Sequence, residues 1–179
     1  MDRLIRRIGR RLPPSRILAY LLLACLPSGV LAKVVPNALF TDHAVLQQGV
    51  AIPVWGNANP GEAVTVSLEA ETQKTKADCK GSWSVKLASR DAGGLHTLTM
   101  EAETKAVLSN VVIGEVWVCS EQSNMQWTVR RSNKAATEIA SADWPNIQSF
   151  TVKRTVSDVP LTDVEGSQSE CSPETVPTS

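Results

Sequence analysis

Val64-Thr65-Val66-Ser67-Leu68 alternates apolar and polar residues at every step. A period of two with one apolar face marks a half-buried strand, because successive side chains point to opposite faces of a sheet. The alternation returns further on. Trp83, Val85 and Leu87 alternate with Ser84 and Lys86, and Leu98 and Met100 alternate with Thr97 and Thr99. Pro60-Gly61, Lys80-Gly81 and Gly93-Gly94 supply turn signals between these runs. Short strands at this spacing, with no helical pattern among them, predict a small antiparallel β-sandwich over residues 33–112. Trp55 and Trp83 are expected in its core rather than as platforms for stacking a sugar. The only two histidines, His43 and His96, fall in this region, and neither has a metal-ligand neighbour at useful spacing.

Upstream of the β region the composition changes. The 179 residues carry 18 basic and 18 acidic side chains, with 42% hydrophobic and 20% charged residues. That balance excludes a disordered chain, a coiled coil and a collagen-like repeat. Six arginines nevertheless crowd the first 16 positions: Arg3, Arg6, Arg7, Arg10, Arg11 and Arg16. Residues 17–26 then form an uncharged apolar run, followed by Pro27-Ser28-Gly29 and Val30-Leu31-Ala32. A basic start, a short apolar middle and a small-residue end read as a signal peptide over residues 1–32, with export to the periplasm or the extracellular space. The run is shorter than the roughly 20 residues of a membrane-spanning helix. Leu22-Leu23-Ala24-Cys25 also fits a lipid-anchor site at Cys25, the lesser reading. From Lys33 onward 12 basic residues face 17 acidic ones, a net charge of −5 that disfavours a nucleic-acid partner. Cys79, Cys119 and Cys171 remain after residue 32, with no Cys-x-x-Cys spacing for zinc. Cys119 reads as a small buried hydrophobe. A Cys79–Cys171 disulfide is allowed in an oxidising compartment, and nothing in the sequence requires it.

Downstream, Val111 to Cys119 is almost continuously apolar and β-branched, the pattern of a strand covered on both faces of a parallel sheet. It ends abruptly at Ser120. In open α/β sheets the ligand site lies outside the carboxyl end of such a strand. Ser132 is expected to cap a helix running to about Ala142, closed by Trp144-Pro145, with a further strand over residues 147–152.

The segment Gly114-Glu115-Val116-Trp117-Val118-Cys119-Ser120-Glu121-Gln122-Ser123-Asn124-Met125 resembles the nucleophile segment of the sialate O-acetylesterase family, SGNH-type serine hydrolases whose usual form is Cys-Ser-Gly-Gln-Ser-Asn-Met. Leu39 to Gln47, Pro53-Val54-Trp55-Gly56 and Pro60-Gly61-Glu62 are similar to the β region that precedes the catalytic domain in that family, and Cys171 to Pro177 is similar to a later stretch. The resemblance implies a β plus α/β architecture: the sandwich, then over residues 113–179 the first strand-loop-helix part of an incomplete SGNH-type domain. It implies a carbohydrate O-acetylesterase without a cofactor or metal, acting on O-acetylated sialic acid or another glycan. Ser123 is the implied nucleophile, with its backbone N–H an oxyanion donor, and Gln122 and Asn124 shape the turn that presents it.

A serine hydroxyl needs a base to take its proton and donors aimed at the developing oxyanion. The segment is not the Gly-x-Ser-x-Gly elbow, because Glu121 and Met125 occupy its glycine positions. Read by spacing alone, Ser123 is better explained as a loop or helix cap than as a nucleophile. Glu121 also replaces the family glycine, placing a carboxylate two residues from the nucleophile. The resemblance further implies a catalytic Asp-x-x-His that these residues do not contain, since no histidine follows Met100. The expectation is a truncated product or partial sequence with little esterase activity of its own. The competing reading is a non-catalytic exported β module that binds or packs against a glycan, marked by exposed Trp55 and Trp83.

Overall fold

The computed structural model describes residues 33–120 and 123–176. The signal-peptide reading of residues 1–32, the lipid-anchor reading of Cys25, and the roles read for Glu121 and Gln122 lie outside the described residues.

The alternating runs become strands. In chain order these are β1 (Val35–Pro36), β2 (Val45–Gln47), β3 (Ile52–Asn57), β4 (Ala63–Leu68), β5 (Glu71–Lys76), β6 (Ser82–Leu87), β7 (Gly93–Glu101) and β8 (Lys105–Gly114). After two 3-10 turns, Ser123–Gln126 and Val129–Arg131, come helix α1 (Ala135–Ala140), β9 (Trp144–Val152) and β10 (Gly166–Cys171). The described fold is therefore mostly strand with few helices. One sheet runs β1-β3-β6, a second runs β2-β8-β7-β4-β5, and β9 pairs with β10. The inward set of each alternation meets in one hydrophobic cluster. Val64, Val66, Leu98, Met100 and Val111 of the larger sheet and Ile52, Val54, Trp83 and Leu87 of the smaller one are all buried in it. All six residues of β5, Glu-Thr-Gln-Lys-Thr-Lys, are polar, which suits an edge strand that must not recruit another.

Turn chemistry sets where the strands reverse. Gly81 sits at φ +86°, and a Cβ there would meet Ala58 O at 2.5 Å, so only glycine fits the turn before β6. Gly93-Gly94, expected as a turn, instead opens β7, where the pairing with β8 shifts register between Gly93 and His96.

The antiparallel expectation fails at one pair. β2 runs parallel to β8, with Val45, Leu46 and Gln47 opposite Val112, Ile113 and Gly114. Parallel neighbours need a long crossover, and the stretch from β3 to β7 provides it. The expected buried strand Val111–Cys119 also fails beyond Gly114. Val111 and Ile113 are fully buried, but Val116, Trp117 and Val118 are 45%, 82% and 91% exposed, and Cys119 is exposed. β2 ends at Gln47 opposite Gly114. No described strand continues beside the chain past that point, and an apolar run without ladder partners does not stay extended in a sheet. The Cys79–Cys171 disulfide is not formed, since Cys79, Cys119 and Cys171 are free thiols.

The helix is shorter than its pattern. α1 starts after Lys134, which takes the left-handed conformation (φ +57°), instead of at a Ser132 cap. The strand expected over residues 147–152 begins earlier, at Trp144, and finds its partner in the polar stretch from Gly166. Three hydrogen bonds tie this arm to the loop before β2. Asn37 Nδ2 donates to Thr162 O (3.3 Å), Ala38 N to Asp163 Oδ1 (3.0 Å) and Gln168 Nε2 to His43 O (3.2 Å).

Candidate active site

The segment that carries the nucleophile motif leaves the larger sheet at the end of β8, and its exit is clamped. Gln47, the last residue of β2, accepts the Val116 amide on Oε1 at 2.8 Å and donates Nε2 to Glu115 Oε2 at 3.1 Å. Gln48 Nε2 donates to the other Glu115 oxygen at 2.5 Å, and Gln48 N donates to Gly114 O at 2.9 Å. The Gln48 and then the Gln47 amide hold the Glu115 carboxyl below its ordinary value. Neither glutamine is recognisable from the sequence as a site residue. Their one signal was that Gln47 closes the Leu39–Gln47 stretch quoted for the family resemblance.

Ser123 opens the first 3-10 turn and is exposed, as is Asn124 beside it. The Asn124 carbonyl accepts the Trp127 amide at 3.0 Å and closes the turn. The Trp127 indole donates to Arg131 O at 2.9 Å, pinning the first 3-10 turn to the second. Met125 and Trp127 stay exposed at 49% and 63%. Ser123 and Asn124 thus share one solvent-facing turn. Among the described residues no hydrogen bond joins Ser123 Oγ to a histidine or carboxylate. His96 pairs through Nδ1 with Glu69 Oε1 at 3.2 Å, and His43 takes a left-handed loop conformation (φ +64°) with its carbonyl bound by Gln168. Both serve the β region. Trp83 lies in the core, while Trp55 is half-buried and meets Phe40 edge-on with ring centroids 4.7 Å apart. Trp83 therefore cannot stack on a sugar as the competing reading required. Among the described residues no group of three His, Cys, Asp or Glu side chains is placed to hold a metal ion, and no helix is long and apolar enough to cross a membrane.

A crystal structure of a carbohydrate acetylesterase from Xanthomonas citri superposes on this fold with a TM-score of 0.77 and 29% identity, covering 80% of this chain and 34% of that one. Sialate O-acetylesterase from Rattus norvegicus is 31% identical over 125 residues, 63% of this chain and 23% of its own length. Part of the sialate O-acetylesterase sequence is thus similar to this chain. The Pongo abelii sialate O-acetylesterase is 28% identical over 166 residues, 77% of this chain and 32% of its own length. The Homo sapiens protein is 30% identical over 142 residues, 64% of this chain and 27% of its own length. The chain thus spans only about a quarter to a third of the curated sialate O-acetylesterases it matches. No family model matches it.

Proposed function

We propose that the chain is the exported, nucleophile-bearing part of a carbohydrate O-acetylesterase of the SGNH type, with Ser123 as the nucleophile. The observation that carries the reading is the exposure of Ser123 at the start of a closed turn, just after the segment that leaves β8. A hydroxyl reaches an ester carbonyl only from such a surface, and its relatives are esterases. In this reading residues 1–32 direct export, residues 33–112 form the β domain and residues 113–179 open the hydrolase domain. The substrate is an O-acetylated sugar.

The chemistry follows from the ester. Ser123 Oγ attacks the acetyl carbonyl carbon while a general base takes its proton. The carbonyl oxygen becomes an oxyanion that accepts hydrogen bonds from aimed donors, one of them the Ser123 backbone N–H. Collapse breaks the bond to the sugar oxygen, which leaves as the alcohol with the proton returned to it. Water then attacks the acetyl-serine, releasing acetate and restoring the hydroxyl. Gln122 and Asn124 flank the nucleophile and hold its turn. The base is not supplied by His43 or His96, so the 179-residue chain by itself turns over aryl acetates at or near background.

The test is a chimera in which residues 33–176 replace the matching third of the Xanthomonas citri carbohydrate acetylesterase. Release of 4-nitrophenol from its acetate, abolished by Ser123→Ala and raised by Glu121→Gly, is expected. A folded chimera that stays inactive even with Glu121→Gly, or keeps its rate with Ser123→Ala, overturns the reading.

A further inference from the structure

Between β9 and β10 the chain crosses an open loop. Residues 151–162 are all exposed, and Val156 is 99% exposed. From Arg154 to Asp158 no backbone N–H or C=O is hydrogen-bonded to another described residue. Two basic residues, Lys153 and Arg154, stand at the entrance. Lys153 is tied across the loop: its amide donates to Glu165 O at 2.7 Å, and its ammonium meets Glu165 Oε2 at 2.6 Å. The Arg154 guanidinium has no hydrogen-bond or ion-pair partner among the described residues.

An endopeptidase needs its substrate exposed and extended, with the main chain free to bond to the enzyme on both sides of the cut. A segment whose backbone is already bonded must first open locally. The other basic residues from Lys33 onward are each held in this way. Lys33 precedes the fully buried Val34, whose amide donates to Thr104 Oγ1 at 2.8 Å. Lys74, Lys76, Lys86 and Lys105 lie within strands β5, β6 and β8. Lys80 sits in a tight turn, its amide on Asp78 Oδ1 and the next amide on Asp78 O. The Arg90 carbonyl accepts the Gly49 amide. Arg130-Arg131 has the same dibasic chemistry as Lys153-Arg154, but it is wound into a 3-10 turn closed by the Arg131 amide on Thr128 O and the Ser132 amide on Val129 O. The Lys134 carbonyl accepts the Thr137 and Glu138 amides at the start of α1.

We propose that the Arg154–Thr155 bond is a processing site for an endopeptidase that cuts after basic residues. Water adds across that bond: Arg154 keeps the carbonyl carbon as a carboxylate, and Thr155 becomes a free α-amine. The cut parts β9 from β10 and leaves the β domain whole, because every buried apolar side chain among the described residues precedes Arg154, the last of them Ala142. This does not depend on the role of Ser123.

Limited digestion of the full chain with trypsin, followed by intact mass, tests it. Cuts before Val34 leave the comparison unchanged, since each product is identified by its own mass. The expected first cut beyond Lys33 is after Arg154, at least about tenfold faster than the cut after Arg131. The piece ending at Arg154 should then accumulate with its core intact. The doubly substituted chain, Lys153→Gln with Arg154→Gln, changes only exposed side chains and should lose its part beyond Lys33 at least about tenfold more slowly. A first cut elsewhere beyond Lys33 overturns the proposal. So does equal cleavage of the doubly substituted chain, or a piece ending at Arg154 that is degraded as fast as it forms.

Discussion

Gln47 Oε1 accepts the backbone amide of Val116 at 2.8 Å, joining two residues 69 positions apart at the point where the Gly114–Met125 segment leaves the sheet. The bond holds the chain two residues past the last rung of the β2–β8 pairing, with a side chain standing in for a strand. Gln47→Ala removes that acceptor and the donor to Glu115. The Val116 amide is expected to exchange with deuterium about tenfold or more faster, while the amides of β8 keep their protection. Equal exchange at Val116 in both proteins would show that the clamp does not hold the exit.

Asp42 Oδ1 accepts both the backbone amide (2.7 Å) and the hydroxyl (2.8 Å) of Ser109. The Ser109 amide first, and then its hydroxyl, hold the Asp42 carboxyl below its ordinary value. A depressed carboxylate contributes stability that is full above its unfolded-state value and is lost as pH falls through the lower folded-state value. The stability difference between the natural chain and Asp42→Asn should be largest near neutrality. It should shrink only below the ordinary aspartate range. Asp42 is exposed, so the difference stays under about 1 kcal/mol. Urea unfolding of both proteins across acid pH measures it, and a difference that grows on acidification contradicts the assignment.

Leu98 is fully buried between β4 and β8, whereas Trp117 is 82% exposed despite lying in the most apolar run after residue 100. Leu98→Ala should cost about 2–5 kcal/mol in urea unfolding. Trp117→Ala should stay within about 0.5 kcal/mol, as a surface change does. A large loss for Trp117→Ala would mean that the run is covered in solution.

Two glycines with positive φ separate conformational strain from steric contact. Gly61 (φ +77°) has nothing within 4 Å of a built Cβ, while Gly81 (φ +86°) has Ala58 O at 2.5 Å. Gly61→Ala should lose about 1 kcal/mol from the left-handed conformation alone. Gly81→Ala should lose more, because the β6 turn must also shift. Thermal unfolding of the pair reads the contrast directly.

The sequence by itself determined β4, β6 and β7, because a period of two states which side chains face inward without reference to any partner. The stretch Gly114 to Met125, on which the family resemblance rests, is likewise legible as a string of residues. Tertiary structure alone decided three other things. It decided that the apolar run stops being a strand at Gly114 and that Gln47 and Gln48 fasten Glu115 and Val116. It also decided that the polar stretch from Gly166 becomes the partner of β9. Each of these depends on whether a distant segment offers hydrogen-bond partners, and hydrophobicity along a chain carries no record of that. Alternation is a local property of the chain, whereas a ladder partner is a relation between segments that only folding brings together.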